Sequence, residues 1–190
     1  MNIKISQIAN LPTTHGDFLI QSFKEHSKEH LVIFSKNLDA STNVNVRIHS
    51  ECLTGDAIGS IKCDCQAQLN FALDYVNEHT GMVIYLRQEG RNIGLLNKVN
   101  AYALQDKGLD TVAANHQLGF SADERSYEIV ETILNHFKIK KINLLTNNPE
   151  KMDSLKNIAI ENRIPIEVGQ NPKNSEYLRI KKEKMGHLFE

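Results

Sequence analysis

Strand-like and helix-like patterns alternate along most of this 190-residue chain, and this alternation restricts the fold to the α/β class. The stretches 31–35 and 44–49 are predicted strands, and the second alternates apolar with polar residues. An apolar run at 82–86 predicts a buried strand, and 142–145 predicts another. Because 41% of the residues are hydrophobic, the chain can bury one substantial core. We therefore expect a mixed β-sheet flanked by helices, in a single domain over residues 1–190.

Apolar residues at helical spacing predict three helices. The first has its apolar stripe at Leu69, Ala72, Leu73 and Val76. The second covers about 93–107, ends near Gly108, and is expected to bury Leu95, Val99, Tyr102 and Ala103. The third is predicted to begin at Ser121, which can form a capping box with Glu124, and to bury Val130, Ile133, Leu134 and Phe137.

Two further helices are predicted in the last third of the chain. Asn148 is a good helix cap and Pro149 suits a first helical turn, so a helix is expected to follow the strand at 142–145. The tail from about residue 174 is predicted to be helical and basic. No role for this tail follows from its sequence.

Charge and terminal composition exclude several functional classes. The net charge is −1 and the pI is about 6.7, so no overall field attracts the chain to nucleic acid or membranes. No stretch is long and apolar enough to span a bilayer, and the first residues form no apolar signal segment. An odd number of cysteines argues against a disulfide framework. We expect a cytoplasmic protein with neither nucleic-acid nor membrane partners.

The three cysteines of the chain, Cys52, Cys63 and Cys65, lie in one short segment. Three thiolates fill three positions of a tetrahedral zinc ion and leave the fourth open for water, as in catalytic zinc sites. The cluster therefore predicts a metal-activated water and a hydrolase. Gly55 and Gly59 are expected to permit the chain reversal that brings the cysteines together.

Two other interpretations of the cysteines stay open. They could be ordinary buried thiols, although the interleaved Lys62 and Asp64 make the segment polar for a core. Alternatively, His49 could supply a fourth ligand and close a structural zinc site, as in a metal-stabilised binding module. Chelation would then unfold the chain.

Three further polar clusters could carry chemistry, and two of them, 87–94 and 146–151, follow predicted strands, where ligands bind in open α/β sheets. The segment 87–94 carries arginines around Gly90 and suits an anion, although a solvated charged turn has the same composition. Asp123 and Arg125 could pair a general base with a phosphate clamp, but acids are also common in a first helical turn. The segment 146–151 could contact a phosphate or a base, or could simply cap a helix. The chain has no P-loop, so a nucleotide would be held differently.

Taken together and in order, these segments closely resemble the GTP cyclohydrolase II family. The segments that carry the resemblance are Arg47-Ile48-His49-Ser50-Glu51-Cys52-Leu53-Thr54-Gly55-Asp56, Cys63-Asp64-Cys65, Arg87-Gln88-Glu89-Gly90-Arg91-Asn92-Ile93-Gly94-Leu95, Ala114-Asn115-His116-Gln117-Leu118-Gly119 and Leu145-Thr146-Asn147-Asn148-Pro149. The resemblance extends over nearly the whole chain and has no room for a fused second enzyme, so it implies the stand-alone form.

The resemblance implies an activity and a set of site residues. The family opens the guanine imidazole ring of GTP at C8 and releases formate and pyrophosphate, which leaves a diaminopyrimidinone ribosylamino 5′-phosphate in the first step of riboflavin biosynthesis. It implies a homodimer, one catalytic Zn²⁺ per chain held by Cys52, Cys63 and Cys65, and Mg²⁺ with the triphosphate. The implied GTP contacts are Arg47, Ile48, His49, Ser50, Glu51, Gln68, Glu89, Gly90, Arg91, Thr111, Thr146 and Lys151. The implied catalytic residues are Asp123 as acid/base, Arg125 as nucleophile and Tyr102 in ring opening.

Some roles within this scheme remain alternatives. A guanidinium is almost never deprotonated, so Arg125 is either a covalent nucleophile or a clamp on the transition state. The Glu89 carboxylate is a candidate acceptor for the N1–H and N2–H₂ edge of guanine. A related enzyme that opens the ring but stops at the formylated product is a further alternative, as is a general GTPase switch, which lacks its P-loop.

Overall fold

The computed structural model describes residues 3–188 and is built around one eight-stranded mixed sheet. The strands are β1 (Ile3–Ile5), β2 (Ala9–Thr13), β3 (Gly16–Glu25), β4 (Lys28–Ser35), β5 (Val44–Ser50), β6 (Gly81–Leu86), β7 (Lys141–Leu145) and β8 (Ala159–Ile164). Their order is β1-β3-β4-β6-β5-β7-β8, with β2 also paired to β3. Pairing is antiparallel from β1 to β6 and parallel among β6, β5, β7 and β8. The predicted mixed α/β sheet is confirmed.

Seven helices connect or follow these strands within the described residues. They are α1 (Leu53–Asp56), α2 (Cys65–His79), α3 (Gly94–Gln105), α4 (Thr111–Gln117), α5 (Glu128–His136), α6 (Pro149–Asp153) and α7 (Ser175–Met185). Asn148 caps α6 and Pro149 opens it, as predicted. The predicted tail helix is also present as α7. None of these helices has the length and apolar composition needed to cross a membrane.

Apolar side chains cover both faces of the sheet, and β6 contributes to both. Met82, Ile84 and Leu86 pack into the larger core with α5, while Val83 packs into a smaller core with α2. A strand that is covered on both faces has no position for a polar side chain, which explains its continuous apolar run. The stripe predicted for α2 lies in or against the smaller core, and the helices therefore flank the sheet as expected.

The start predicted for the third helix is wrong, because α5 begins at Glu128 rather than at Ser121. The capping-box bond is present, since the Ser121 N–H donates to Glu124 Oε1 at 2.8 Å. However, three carbonyls of residues 122–126 accept hydrogen bonds from side chains of the loop 87–93. Carbonyls used in this way are not available to the hydrogen bonds of a helix, so the segment remains irregular. The predicted buried face at Val130, Ile133 and Leu134 is confirmed.

The second helix is confirmed as α3, but its predicted buried stripe is wrong. Leu95, Val99 and Ala103 are exposed, and Tyr102 is half-buried. Lys98 and Ala101 are buried instead. The ammonium group of Lys98 binds polar partners inside the protein, so α3 is rotated away from the orientation that its apolar residues predict.

Candidate active site

A cavity of about 400 Å³ opens at the carboxyl ends of β5, β6 and β7. These strands are parallel, so the residues that follow them meet at one edge of the sheet. Of the residues predicted for the site, those that line the cavity are Arg47, His49, Ser50, Glu51, Cys52, Cys63, Cys65, Gln68, Glu89, Gly90, Arg91, Tyr102, Thr111, Arg125, Thr146 and Lys151. The structure thus brings together nearly all of the predicted residues.

Two predicted site residues are not among the residues that line the cavity. The Ile48 side chain is completely buried in the larger core, and only its carbonyl faces the site, where it accepts a hydrogen bond from Lys151 Nζ at 2.8 Å. Asp123 lies behind Arg125 and binds its guanidinium. If these two residues contribute to the site, Ile48 does so through its backbone and Asp123 through Arg125.

The three cysteine sulfurs converge at one end of the cavity. Cys52 precedes the short helix α1 and Cys65 begins the longer helix α2, so the starts of two helices fix the cluster. All three Sγ atoms lie within 4.8 Å of one another, and Cys52 and Cys63 are 3.6 Å apart. Tetrahedral zinc with Zn–S distances of about 2.3 Å places its sulfur ligands about 3.8 Å apart. The cluster therefore has the size that a zinc ion requires.

Gly55 leaves room for this cluster. A Cβ atom at this position would lie 2.9 Å from Cys63 Sγ and 3.1 Å from Cys52 Sγ. Gly55 is helical, so the chain reversal predicted for it is not its role. Gly59 does adopt a positive φ of 77° in the turn between the cysteines, as expected of a glycine there.

Lys98 and the neighbouring thiols favour negative charge on Cys52. Lys98 Nζ lies 3.1 Å from Cys52 Sγ. Hydrogen bonds from Cys63 and Cys65, together with the charge of Lys98, hold the pKa of Cys52 well below its usual range. The hydrogen bond between the Cys63 and Cys52 side chains raises the pKa of Cys63 to about 11. Thiolate is the form of cysteine that binds metal. Lys98 was not predicted as a site residue, because the apolar residues of its helix indicated a different buried face.

Both carboxylate oxygens of Glu89 accept hydrogen bonds from other groups of the protein. Its Oε2 accepts from the Leu53 N–H at 2.6 Å, and its Oε1 accepts from Lys98 Nζ at 2.7 Å and from the Gly90 N–H at 2.9 Å. The carboxylate thus joins the start of α1 to the loop after β6. Its direct role at the guanine edge remains a prediction, which these bonds do not favour.

His49 lies outside the group of sulfur atoms. Its Nε2 is 3.2 Å from both carboxylate oxygens of Asp56, and Tyr85 donates a hydrogen bond to Asp56 at 2.8 Å. Burial lowers the pKa of His49, which favours the neutral imidazole. The same Asp56 carboxylate accepts from the Cys52 N–H at 3.0 Å. His49 therefore supports the cysteine loop through Asp56, and the geometry does not favour it as a fourth metal ligand.

One region of the cavity wall concentrates positive charge. Arg47, Arg125, Lys151 and Lys181 are all buried or nearly so. Burial and the nearby charges of Arg47, Arg125 and Lys181 hold the pKa of Lys151 well below its usual range. Crowded buried cations are unfavourable unless an anion balances them. This cationic region of the cavity therefore suits a phosphate group.

Arg125 is held by Asp123. Its Nε lies 2.8 Å and 3.0 Å from the two carboxylate oxygens, and its Nη2 also contacts Asp123. Although burial alone opposes the charge, the Asp123 carboxylate raises the pKa of Arg125 above its usual value. The same pairing lowers the pKa of Asp123 in spite of its burial. The guanidinium is thus fixed in its charged form beside Ser50, whose Oγ is 3.4 Å from Nη1.

The loop after β6 is held in an unusual backbone conformation. Gly90, Arg91 and Asn92 have φ values of 63°, 59° and 75°, and the last two are not glycines. Such angles cost free energy and persist where surrounding contacts hold them. Here the Asn92 N–H donates to the Gln88 and Glu89 carbonyls, and Arg91 Nη1 donates to the Ala122 carbonyl. This conformation places Arg91 in the cavity wall, where the sequence predicted a contact with an anion.

Tyr102 stands beside the cysteine cluster. Its hydroxyl is 3.2 Å from Thr54 Oγ1, which is itself 3.8 Å from Cys52 Sγ. Lys62 and Lys98 lie over its ring at 4.9 and 5.7 Å. Burial raises the pKa of Tyr102, so the phenol keeps its proton and can donate it in a hydrogen bond. Its position agrees with the role that the resemblance implies.

Several polar residues of the site were not predicted from the sequence. Asp56, Asp64, Lys98, Tyr177 and Lys181 contact or line it. Asp64 lies between Cys63 and Cys65 in the sequence, and this position could have indicated a site residue. In the structure it is buried. The two residues of α7 carried no signal, because the basic tail matched no motif.

Comparison with known proteins gives a consistent result. The family model for GTP cyclohydrolase II matches residues 4–165. GTP cyclohydrolase-2 of Campylobacter fetus subsp. fetus is 68% identical over 191 residues, which cover 100% of this chain and 98% of that protein. The enzyme of the same name from Campylobacter hominis is 60% identical over 190 residues, covering 100% and 97%.

A likeness among solved structures is much weaker. RibBX from A. baumannii, a two-domain 3,4-dihydroxy-2-butanone 4-phosphate synthase, matches with a TM-score of 0.46 and 16% identity, over 87% of this chain and 40% of that one. That similarity is too low to support a conclusion about this protein. The family match and the two relatives are sufficient by themselves: this chain is an enzyme of the GTP cyclohydrolase II family.

Proposed function

We propose that this enzyme opens the imidazole ring of GTP at C8 and releases formate and pyrophosphate, as the first step of riboflavin biosynthesis. The observation that carries the proposal is that one cavity joins a three-sulfur cluster to a buried group of cations. The first suits a catalytic metal and the second suits a triphosphate. The family match and the names of its relatives support GTP as the substrate.

We propose that Cys52, Cys63 and Cys65 hold one catalytic zinc ion per chain. The spacing of their sulfurs and the room left by Gly55 support this assignment. When bound, zinc with three protein ligands supplies an activated water, whose pKa falls towards about 7 in such sites. Lys98 contributes by stabilising the Cys52 thiolate, and the Asp56 carboxylate fixes the backbone at Cys52.

Other side chains would hold and orient the nucleotide. Arg47, Arg91, Arg125 and Lys151 provide the cationic wall for the phosphates, and Gly90, in the same loop as Arg91, also lines the cavity. We propose that Mg²⁺ accompanies the triphosphate, because pyrophosphate leaves with several negative charges. We propose that Tyr102, whose hydroxyl lies 3.2 Å from Thr54 Oγ1, donates a hydrogen bond to the ring as it opens. Ser50, Glu51, Gln68, Thr111 and Thr146 complete the proposed GTP contacts.

For Arg125 we favour the clamp over the nucleophile. A nucleophilic guanidinium must lose a proton, but Asp123 raises the pKa of Arg125. A planar, charged guanidinium instead binds phosphate oxygens bidentately and stabilises their charge in the transition state. Asp123 then acts by fixing the orientation of Arg125.

We also infer the setting in which this enzyme works. Three free thiols close together are typical of a reducing compartment, which supports a cytoplasmic location. We propose that residues 1–190 form a single domain and that two copies form a homodimer. Exposed Leu95, Leu96 and Val99 on one side of α3 support a subunit contact there.

The activity is tested by incubating the zinc-loaded protein with GTP and Mg²⁺. We expect formate, pyrophosphate and the pyrimidine product in equal amounts, because one cavity carries both the metal site and the phosphate site. Formate is measured enzymatically and the pyrimidine by its absorbance. Pyrimidine without formate would instead identify an enzyme that stops at the formylated product, and an unopened purine would disprove the proposal.

The zinc assignment is tested by Gly55→Ala. The added methyl group would lie closer to two sulfurs than van der Waals contact allows, so we expect bound zinc and formate release to fall by about tenfold or more. Alanine favours helix, so the local backbone is not weakened. Metal content is measured after dialysis against a weak chelator. Leu53→Ala, at a more exposed position of the same helix, is the control and should keep its zinc. Unchanged zinc in Gly55→Ala would remove the assignment.

The role of Arg125 is tested by rapid quench with GTP labelled at the α-phosphate. The clamp predicts no label on the protein at any time, and a loss of pyrophosphate release in Arg125→Lys of about tenfold or more, because lysine cannot bind two oxygens in one plane. Arg179→Lys, an exposed substitution on α7, is the control. A labelled protein in the wild type that is missing in Arg125→Lys would establish the covalent nucleophile.

The homodimer is tested by light scattering of Leu96→Glu. Leu96 is 76% exposed on α3, and a charge there would oppose an apolar contact between subunits, so we expect a shift from dimer to monomer. Asn70→Glu adds the same charge at an exposed position of a different helix, α2, and is the control. A wild type that is monomeric at all concentrations would rule out the dimer, and an unaffected dimer would move the interface elsewhere.

A further inference from the structure

The C-terminal segment forms part of the cavity, although it lies beyond the residues that match the family model. Tyr177, Ile180 and Lys181 of α7 line the cavity, together with Met185 and His187. Ile180 and Lys181 are buried, so α7 packs on the protein rather than projecting from it. A basic helix with no assignable motif is thus one wall of the site.

Contacts at both ends hold this segment in place. Before α7, Asn171 Nδ2 donates to the Ile61 carbonyl at 3.3 Å, and Gly169 lies so close to α2 that a Cβ would be 2.6 Å from Ala67 Cβ. After α7, the Leu188 N–H donates to the Asn147 carbonyl at 2.8 Å. The segment therefore reaches from the cysteine loop to the turn that follows β7.

A continuous hydrogen-bond chain leads from α7 to the cationic wall. Lys181 Nζ binds Asp64 Oδ1 at 2.8 Å, and Gln68 Nε2 donates to Asp64 Oδ2 at 2.5 Å. Arg47 Nη2 then donates to Gln68 Oε1 at 2.6 Å, while its Nη1 donates to the Leu145 carbonyl at 3.0 Å. Lys181, Asp64 and Arg47 are 8%, 2% and 5% exposed, so water competes little for these bonds.

The direction of every bond in this chain follows from its charged members. Arg47 can only donate and the Asp64 carboxylate can only accept, so the Gln68 amide must turn its oxygen to Arg47 and its nitrogen to Asp64. This order depends on Asp64 remaining charged in a buried position. An unpaired buried carboxylate is unfavourable, and Lys181 is the cation that pairs with it.

We propose that Lys181 is a positioning residue for nucleotide binding, which acts through Asp64 and Gln68 to hold the Arg47 guanidinium in the wall of the phosphate site. This inference rests on the proposed function, since GTP is the ligand that Arg47 is proposed to bind. Lys181 need not touch the nucleotide. Its loss disorders the chain of bonds, frees the Gln68 amide to turn, and leaves Arg47 held by the Leu145 carbonyl alone among these partners.

The direct test compares Lys181→Met with Lys181→Arg. Methionine keeps the length of the side chain but not its charge, so we expect KM for GTP to rise by about tenfold or more while kcat changes by less than about threefold, as for lost uniform binding. Arginine keeps the ion pair and should restore KM to within about threefold of the wild type. Lys182→Met, at an exposed position of the same helix, is the control and should leave both constants unchanged.

A double-mutant cycle separates positioning from direct contact and remains informative if Lys181→Met folds poorly. Asn at position 64 can still accept from Gln68 but carries no charge that needs a partner. In the Asp64→Asn background we therefore expect Lys181→Met to cause no further loss of GTP affinity. A further loss of about tenfold in that background would show that Lys181 binds the nucleotide itself and would overturn the proposal. Zinc content is measured on every variant, so that damage to the cysteine loop is not mistaken for this effect.

Binding of α,β-methylene-GTP by calorimetry distinguishes this inference from the proposed function. If the wild-type protein does not bind this nucleotide and releases no formate from GTP, the proposed function fails. If the wild type binds it and Lys181→Met binds it equally well, only the positioning role of Lys181 is overturned. An affinity that falls about tenfold in Lys181→Met and returns in Lys181→Arg supports the role.

Discussion

The site depends on the parallel pairing of β5 between β6 and β7. Along β5, Val44, Val46 and Ile48 face the larger core, while Arg47 and His49 lie on the other face. Successive side chains of a strand point to opposite sides, so burial of the apolar set places the polar set toward the cavity. The neighbouring parallel strands then bring the Glu89 loop and the Thr146 turn to the same edge. Cys52 follows β5 directly, which brings the sulfur cluster there as well.

Buried charge shapes the rest of the site. Each buried carboxylate has a defined set of donors, as Glu89 has in Lys98 and Leu53, and Asp123 has in Arg125. Such pairing offsets the cost of removing charge from water and holds long side chains in one orientation. Lys151 is the exception, because cations surround it and its pKa is strongly lowered. An anionic ligand would offset this imbalance.

Much of this site could be predicted from the chain, and the errors have identifiable causes. The four predicted strands, which correspond to β4, β5, β6 and β7, the α6 cap and the convergence of the cysteines depend on local pattern or on short spacing, and the structure contains them. The strands β1, β2, β3 and β8 were not predicted. The start of α5 was misplaced, because side chains of the loop after β6 use the carbonyls that a helix needs. The buried face of α3 was misjudged, because Lys98 is drawn inward by Glu89 and Cys52. In both cases a partner distant in sequence outweighed a local preference.

The sequence by itself indicated most of the residues that line the cavity, because its thiols, arginines and carboxylates lie in short segments that follow predicted strands or flank predicted helices. It also determined the class of fold, because the spacing of apolar residues along the chain indicates whether a segment is a helix or a strand and whether one face or both are buried. Only the tertiary structure decided how those residues share their bonds. It placed Gly55 against the sulfurs, turned Glu89 toward Lys98, and brought Lys181 to Asp64. These contacts join residues far apart in the chain, and such contacts depend on how the elements pack rather than on any local pattern.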